Sequence, residues 1–194
     1  MKIKQILSIL TILFTSLPVF AQSAHEFRVL YGKSDTKLLR NQRLDGSANY
    51  DAQNFKEFGI RYLKQITEGL YVESGVNYSD MKVKINPAPM GMPMEPSFEK
   101  LEIVSIPVFA NYAFGRYFFV NGGPMVDLQV SENSIDSQAG IGYSLGLGGK
   151  YDLNKFSLFV NPNFKRHAVI PFKKETYQQK LTEIGVQVGL GFKL

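Results

Sequence analysis

The 194-residue sequence contains no cysteine and no tryptophan, and only two histidines, His25 and His167. Without cysteine, the protein has neither disulfides nor the lipid-modified cysteine of an exported lipoprotein. No apolar run of 18 residues follows the first 21 residues, so the sequence offers no α-helical membrane span. It also has no Lys/Arg-rich run and no basic patch interleaved with aromatics, which argues against a nucleic-acid partner.

The first 21 residues are organised like a secretory signal peptide. Lys2 and Lys4 precede an apolar core over residues 6–14, and Val19-Phe20-Ala21 forms a small-x-small type of cleavage site. We therefore expect a mature domain over residues 22–194. Without the two signal lysines, 20 basic residues face 17 acidic ones, so the net charge falls from +5 to +3. Part of the apparent basicity is thus an export signal.

Residues 181–194 alternate strictly between two kinds of side chain. One face carries Ile184, Val186, Val188, Leu190, Phe192 and Leu194, and the other carries Glu183, Gly185, Gln187, Gly189, Gly191 and Lys193. Side chains alternate along a β-strand, and about ten tilted strand residues cross a bilayer. This pattern is typical of the closing strand of an outer-membrane barrel.

The same alternation predicts eight strands in the mature chain, with no helical stripe competing for them. The predicted spans are 25–33, 55–65, 69–84, 99–114, 117–131, 139–151, 155–166 and 179–194. Short connections at 66–68, 115–117 and 152–155 alternate with long ones at 34–54, 85–98, 132–138 and 167–178. The predicted fold is therefore an all-β, eight-stranded, antiparallel up-and-down transmembrane barrel with short periplasmic turns and longer outer loops.

Periodicity alone does not say which face points outward. A soluble lipocalin-like ligand binder has the same alternation turned inside out. Here the apolar face carries aromatics near the strand ends, as interfacial girdles do: Tyr62, Tyr78, Tyr112, Tyr143, Tyr151 and Phe192. The pattern favours the membrane orientation, with the lipocalin-like barrel as an alternative.

The inward face is then predicted to hold five acids and five bases. The acids are Glu26, Glu57, Glu73, Asp127 and Glu183, and the bases are Arg28, Arg61, Lys150, Lys165 and Lys193. We expect Arg61 to lie opposite Glu73 and to bridge it, Gly148 to lie opposite Phe159, and Gly146 opposite Asn161. A balanced set predicts a plugged, salt-bridged lumen, because an ion-selective pore would show an excess of one sign.

Two motifs resemble a known family. Residues 101–130, LEIVSIPVFANYAFGRYFFVNGGPMVDLQV, are similar to a signature of the outer-membrane protein β-barrel domain family, with Ile106-Pro107, Tyr112 and Gly123-Pro124 at the best-matching positions. Residues 140–153, GIGYSLGLGGKYDL, resemble its following hairpin. The family includes PorT-type proteins and is related in shape to OmpX and the OmpA membrane domain. The resemblance implies a fold and a compartment, namely the outer membrane of a Gram-negative bacterium, and implies no activity.

The loop over residues 86–98 alternates Met90, Met92 and Met94 among four prolines. Thioethers suit soft ions such as Cu(I), so this loop is a weak candidate for a metal site. The alternatives are a proline-stiffened loop that contacts a partner and a plain loop. No cofactor is predicted.

The histidines allow one enzymatic hypothesis, lipid hydrolysis or transfer. His167 lies in the segment RHAVIPFKKET near Glu175 and Thr176, with Ser131, Ser134 or Ser137 as a nucleophile from the preceding loop. No spacing motif supports it, and a loop histidine in a basic patch is usually solvated. We predict no catalytic residues.

Arg166, His167, Lys173 and Lys174 are predicted to form a cationic outer rim, to which Lys37, Arg40 and Arg43 of the first loop add. Such a rim would suit lipopolysaccharide phosphates, or it is simply a solvated edge.

The sequence thus favours a non-enzymatic outer-membrane protein with a structural or interaction role. One concrete version is an accessory subunit of a secretion or surface-assembly machinery. Membrane lipid, lipopolysaccharide and other envelope proteins are the expected partners. The alternatives are a small diffusive pore, a loop-borne adhesin, a lipid-modifying enzyme and the lipocalin-like binder.

Overall fold

The computed structural model describes residues 24–40, 49–87, 95–131, 135–173 and 178–194. They form eight strands: β1 (His25–Arg40), β2 (Asn49–Thr67), β3 (Leu70–Asn86), β4 (Ser97–Phe114), β5 (Phe118–Gln129), β6 (Gly140–Leu153), β7 (Phe156–Pro171) and β8 (Gln179–Lys193). Each strand pairs antiparallel with the next, and β8 pairs with β1, which closes the barrel. The predicted eight-stranded up-and-down barrel is confirmed. No helix long and apolar enough to cross a membrane occurs in the described ranges. The predicted signal peptide lies outside them.

Several strands run further than predicted at the end of the barrel away from the short turns. β1 continues to Arg40, β2 begins at Asn49, and β7 continues to Pro171. These extensions read as loops in the sequence because most of their outward side chains are polar and the continuous apolar stripe has ended, although Leu39 and Ile170 are exposed. Three of the four long connections are correspondingly shorter than predicted, and the one between β5 and β6 is slightly longer.

Two short turns differ from the prediction by two residues of register. The turns are Glu68-Gly69 and Asn154-Lys155, closed by the pairs Thr67 with Leu70 and Leu153 with Phe156. Gly69 and Asn154 have φ of 76° and 54°, which these two residue types accept most readily. The tighter turns shift both hairpins. The hairpin around 115–117 has the predicted register, with Phe114 opposite Phe118 and Asn111 opposite Asn121.

The shifted registers correct two expectations. Phe159 lies opposite Lys150 and not opposite Gly148. Gly146 lies opposite Asn163 and not opposite Asn161. Gly148 instead lies opposite Phe119 of β5, and Phe159 lies opposite Gly189 of β8. The predicted packing of a large aromatic over a glycine therefore occurs twice, with different partners.

Apolar side chains point outward over the middle of the wall. Val29 and Ile184 are 62% and 68% exposed, while Glu183 is 0% exposed. The predicted aromatics follow this face, since Tyr112 and Tyr151 are exposed and Phe192 is partly so. This orientation is the reverse of a lipocalin-like barrel, so that alternative is wrong.

At the outer end the polarity reverses. On β3, the outward residues nearer the short turns, such as Val72, Val76 and Tyr78, are apolar. Nearer the outer end the apolar residues Met81 and Val83 are instead buried inside the barrel. We call the buried group the outer core: Phe55, Met81, Val83, Leu101, Ile103, Ile135 and Leu181. We call the polar outward group the outer collar: Lys33, Asp35, Lys37, Asp51, Lys56, Asp80, Lys82, Lys84, Lys100 and Glu102. Above the lipid level the barrel is thus built like a water-soluble one.

Candidate functional site: the ion-paired lumen

Eight of the ten charged residues predicted for the lumen are buried inside the barrel: Glu26, Arg28, Glu57, Arg61, Glu73, Asp127, Lys165 and Glu183. They point inward because strand side chains alternate and their neighbours are the outward apolar residues. The other two, Lys150 and Lys193, lie at the rim of the short turns. There both flank Asp152, at 4.0 Å and 2.8 Å from its Oδ2 atom.

Inside the lumen, next to the rim of the short turns, Arg28 forms an ion pair with Glu26. Arg28 Nε lies 2.9 Å from Glu26 Oε1, and Ser157 Oγ donates a hydrogen bond to the same carboxylate. The guanidinium carbon also lies 4.8 Å from the ring centre of Phe159 and 5.4 Å from that of Phe119. Cation–π contact and the ion pair together satisfy this buried cation.

Arg61 and Glu73 form the ion pair that the sequence predicted, with Nη1 and Oε1 3.4 Å apart. The register differs, because Leu63 and not Arg61 lies directly opposite Glu73. The long arginine side chain reaches its partner diagonally. Asn77 accepts a hydrogen bond from Arg61 Nε at 2.9 Å, and Asn111 donates one to Glu73 at 2.8 Å.

A chain of ionisable side chains, acidic and basic in turn, crosses the lumen, and we call it the lumen ion chain: Glu57, Lys165, Glu183, His167 and Asp127. Lys165 Nζ lies 2.7 Å from Glu57 Oε2 and 3.3 Å from Glu183 Oε2. His167 Nε2 lies 2.9 Å from Glu183 Oε1. His167 Nδ1 lies 3.0 Å from Asp127 Oδ2, a contact at ion-pair distance without the direction of a hydrogen bond. Each of the inner three groups therefore has an ionisable partner on both sides.

Neutral groups complete the two ends of the lumen ion chain. Ser105 Oγ donates to Asp127 Oδ1 at 2.6 Å, while Gln187 Nε2 donates to Glu57 Oε2 at 2.8 Å and Asn77 also donates to Glu57. The chain runs from β2 through β7 and β8 to β5. Buried charges that lack partners cost several kcal/mol each, so this arrangement is stable only as a complete set.

The position of His167 corrects the sequence interpretation, which placed it on the solvated outer rim. It is 1% exposed. β7 does not end at Arg166; its pairing with β6 steps from Arg166 to Ile170 across a bulge at Ala168, whose φ is 46°. His167 keeps the inward parity of Lys165, and its parity in the sequence was the signal that could have placed it inside.

The proposed lipid-modifying triad is not assembled by the described residues. Both ring nitrogens of His167 face carboxylates, and no serine is its partner. Ser131 Oγ instead accepts the backbone NH of Glu102 at 3.0 Å, and Ser137 Oγ accepts that of Ala139 at 3.3 Å. Ser134, Glu175 and Thr176 lie outside the described residues. A hydrolase would also need lipid to reach a histidine that the barrel encloses.

The remaining predicted residues are scattered or not described. Arg166 is half-buried on the outward face and Lys173 is exposed, so of the described members of the predicted rim only His167 is misplaced, because it is enclosed in the lumen. Lys174 and Met90, Met92 and Met94 lie outside the described residues. Within the described ranges, no three His, Asp or Glu side chains are grouped to hold a metal ion.

The outer collar carries both signs of charge. Lys100 Nζ lies 2.6 Å from Glu102 and 3.8 Å from Asp80, and Tyr78 OH donates to Glu102. The hydrogen bond from the Lys100 ammonium holds the pKa of Glu102 below its ordinary value, and the same bond raises the pKa of Lys100. Lys82 lies directly opposite Lys100 across the β3–β4 pair. The collar is therefore a solvated, mixed-charge surface.

No protein-family model matches the chain, and no curated protein matches it. Solved structures do. The outer membrane protein AlkL in DMPC lipid bilayers superposes with a TM-score of 0.59 at 12% identity, covering 92% of this chain and 93% of AlkL. The outer membrane protein OprG from Pseudomonas aeruginosa gives 0.57 at 12% identity, covering 89% and 95%.

Ail, the attachment invasion locus protein of Yersinia pestis, gives a TM-score of 0.46 at 13% identity, covering 89% of this chain and 99% of Ail. At such identities the likeness concerns the fold. The PorT-type part of the sequence resemblance stays a prediction. The fold of this chain is that of the small, eight-stranded outer-membrane barrels.

Proposed function

We propose that this protein is a non-enzymatic outer-membrane barrel of a Gram-negative bacterium, exported by the signal peptide over residues 1–21, which acts through contacts made by its surface. The observation that carries the proposal is the lumen ion chain. A barrel whose interior is crossed by paired charges offers solutes no path, so a role must lie at its ends or on its wall.

The outer core supports the same conclusion. Met81, Val83, Leu101 and Ile103 are at most 1% exposed and fill the barrel above the ion chain. The diffusive-pore alternative therefore faces two successive obstructions, one polar and one apolar.

The outer collar is the surface best suited to a partner. β1 to β4 have 16, 19, 17 and 18 residues, longer than β5 with 12 and β6 with 14, so this side of the barrel carries a taller wall. A rigid, mixed-charge wall outside the lipid favours a protein partner of complementary charge. An accessory role in a secretion or surface-assembly machinery is one concrete form. Lipopolysaccharide contact through collar lysines such as Lys33 and Lys82 is compatible with it.

Crosslinking from intact cells tests this proposal. Because the chain has no cysteine, Lys82→Cys places one reactive thiol on the collar, and Lys155→Cys places one on a short turn as the matched control. We expect a discrete adduct with an envelope protein from Lys82→Cys, identified by mass spectrometry, and none from Lys155→Cys. Equal adducts from both positions, or none from the collar, would overturn the proposed contact surface.

A further inference from the structure

The lipid-facing wall formed by β5 to β8 contains an apolar groove near the short-turn rim. Its volume is about 710 Å³. The outward side chains that line it include Phe118, Tyr151, Leu158, Val160, Val188 and Leu190. Ligand pockets in proteins measure about 300–1,000 Å³, so the groove is large enough for part of a lipid molecule.

Gly149 opens this groove. It lies between Phe118 of β5 and Val160 of β7 in one row across the wall. These two neighbours each contribute an apolar side chain to the outer face, and Gly149 contributes none. A Cβ atom at Gly149 would meet only the Tyr117 carbonyl oxygen, at 3.7 Å. At the adjacent Gly148 a Cβ would instead press on the Phe119 ring and on the Val160 carbonyl. Barrel packing thus requires glycine at 148, whereas at 149 its effect is to leave the wall hollow.

The mouth of the groove is basic and aromatic. Arg116 and Lys155 are exposed in the two turns that flank it, while Lys150 and Lys193 both lie beside Asp152. Tyr117 stacks on Tyr151, with ring centres 6.2 Å apart and planes 4° from parallel. Tyrosine rings of this kind sit at the level of lipid headgroups.

We propose that the groove binds one acyl chain of an anionic phospholipid from the periplasmic leaflet, with the phosphate held by Arg116 and Lys155. The short turns place this rim on the periplasmic side, which favours a glycerophospholipid over the lipopolysaccharide of the opposite leaflet. The apolar lining suits the chain and the basic mouth suits the anionic head. The inference rests on the membrane orientation of the proposed function.

The absence of tryptophan allows a clean fluorescence test. Phe118→Trp puts one reporter in the groove, and Val72→Trp puts one beside the turn between β2 and β3, on lipid-facing wall away from the groove. Each variant of the full chain is reconstituted in phosphatidylcholine vesicles at low protein density. Increasing fractions of chain-brominated phosphatidylglycerol, or of brominated phosphatidylcholine as control, then quench the reporter.

We expect brominated phosphatidylglycerol to compete for the Phe118→Trp site about fivefold better than brominated phosphatidylcholine, because phosphatidylglycerol carries a net negative charge beside the basic side chains whereas the choline group cancels the charge of the phosphate in phosphatidylcholine. The Val72→Trp reporter should show no such preference. Adding Arg116→Gln and Lys155→Gln should abolish the preference and keep the chain contact. Adding Gly149→Leu should reduce quenching at Phe118→Trp by both lipids, and the charge variants test the site even if this one does not fold.

Several results would overturn the site. Equal quenching of both reporters without lipid preference would mean ordinary annular lipid. Loss of groove quenching as protein density rises would mean that a second copy covers the wall. Failure of either reporter to respond to any brominated lipid would instead contradict the membrane orientation, and so the proposed function itself.

Discussion

The side chains inside the barrel differ in how strictly the sequence determines their partners. Parity identifies Glu57, Lys165 and Glu183 as inward, because one face of each strand is continuously apolar. Which cation meets which anion depends on register and on side-chain length. Lys165 bridges two carboxylates from different strands, which no single hairpin predicts.

Replacing Lys165 by methionine tests the central position of the lumen ion chain. Glu57 and Glu183 would remain buried without their shared cation, so we expect a loss of about 3–5 kcal/mol in the free energy of unfolding. Lys150→Met, at the rim, should cost clearly less because water reaches that site. Denaturant unfolding in detergent micelles, followed by the β-sheet circular dichroism signal, measures both. Equal losses would count against the chain as a unit.

The two neighbouring glycines of β6 give a second residue-level test. Gly148→Ala should destabilise by about 1–3 kcal/mol, because the new methyl group meets the Phe119 ring and the Val160 backbone. Gly149→Ala points into open space and should change stability by no more than about 0.5 kcal/mol. The same unfolding experiment compares them. A reversed order would show that the two faces of β6 have been exchanged.

His167 shows where residue-level prediction from sequence fails. A histidine next to Arg166 and before a lysine pair reads as a solvated loop residue. Its burial follows from the inward parity that it shares with Lys165, on a strand that continues past Arg166 with a bulge at Ala168. A positive φ at alanine has no sequence signature, so only the parity with Lys165 hinted at the interior.

At the level of strands, alternation was enough to find all eight, whereas the aromatics on one face and the balanced charges on the other were needed to orient them. The hairpin registers were predictable where the turn was unambiguous, as at 115–117. Glu68-Gly69 and Asn154-Lys155 make tighter turns than expected, and each moved its hairpin by two residues without changing the faces. A shift of two preserves parity, which is why eight of the ten residues predicted for the lumen are buried there despite two incorrect registers.

β3 also carries a signal that marks where the lipid level ends. From Val72 to Tyr78 its apolar residues stand at even positions, and from Met81 onward they stand at odd positions. The phase changes although the strand is continuous, so the surroundings of the outer face have changed from lipid to water. This phase change in the sequence locates the outer core. The prediction from sequence missed it because it assigned much of the outer end of the barrel to long loops.

Charge substitutions along β3 test the phase change. Val76→Lys should cost about 2–4 kcal/mol by placing an ammonium in the lipid. Val83→Lys should also destabilise strongly, since it buries an unpaired charge in the outer core. Lys82→Val, between them in sequence, should be tolerated because it removes a solvated charge that faces Lys100. If Lys82→Val proved as damaging as Val83→Lys, the reversal of polarity would be contradicted.

The whole molecule combines a membrane barrel, apolar outside and polar inside, with a water-exposed extension that is polar outside and apolar inside. The ion chain and the outer core occupy successive levels of one closed lumen. Composition hints at such a barrel, but its closure is a property of all strands together and emerges only from the complete topology.

The closed lumen predicts the absence of conductance. In planar bilayers, the purified chain should show no steady channel at neutral pH, because every described level of the interior holds side chains. Lys165→Met, measured in the same assay, shows whether removing the central cation of the lumen ion chain opens a conducting path. Reproducible single-channel steps from the unmodified protein would restore the diffusive-pore hypothesis.

The central claim is that the apolar face meets lipid and the charged face is enclosed. Single cysteines at Val186, Gln187 and Val188, in a chain that has no other cysteine, test it most directly. A thiol reagent confined to the bilayer interior should modify the cysteines at 186 and 188 and leave the one at 187 unmodified. Modification at 187 with protection at 186 and 188, or a mature protein soluble without detergent, would contradict the account.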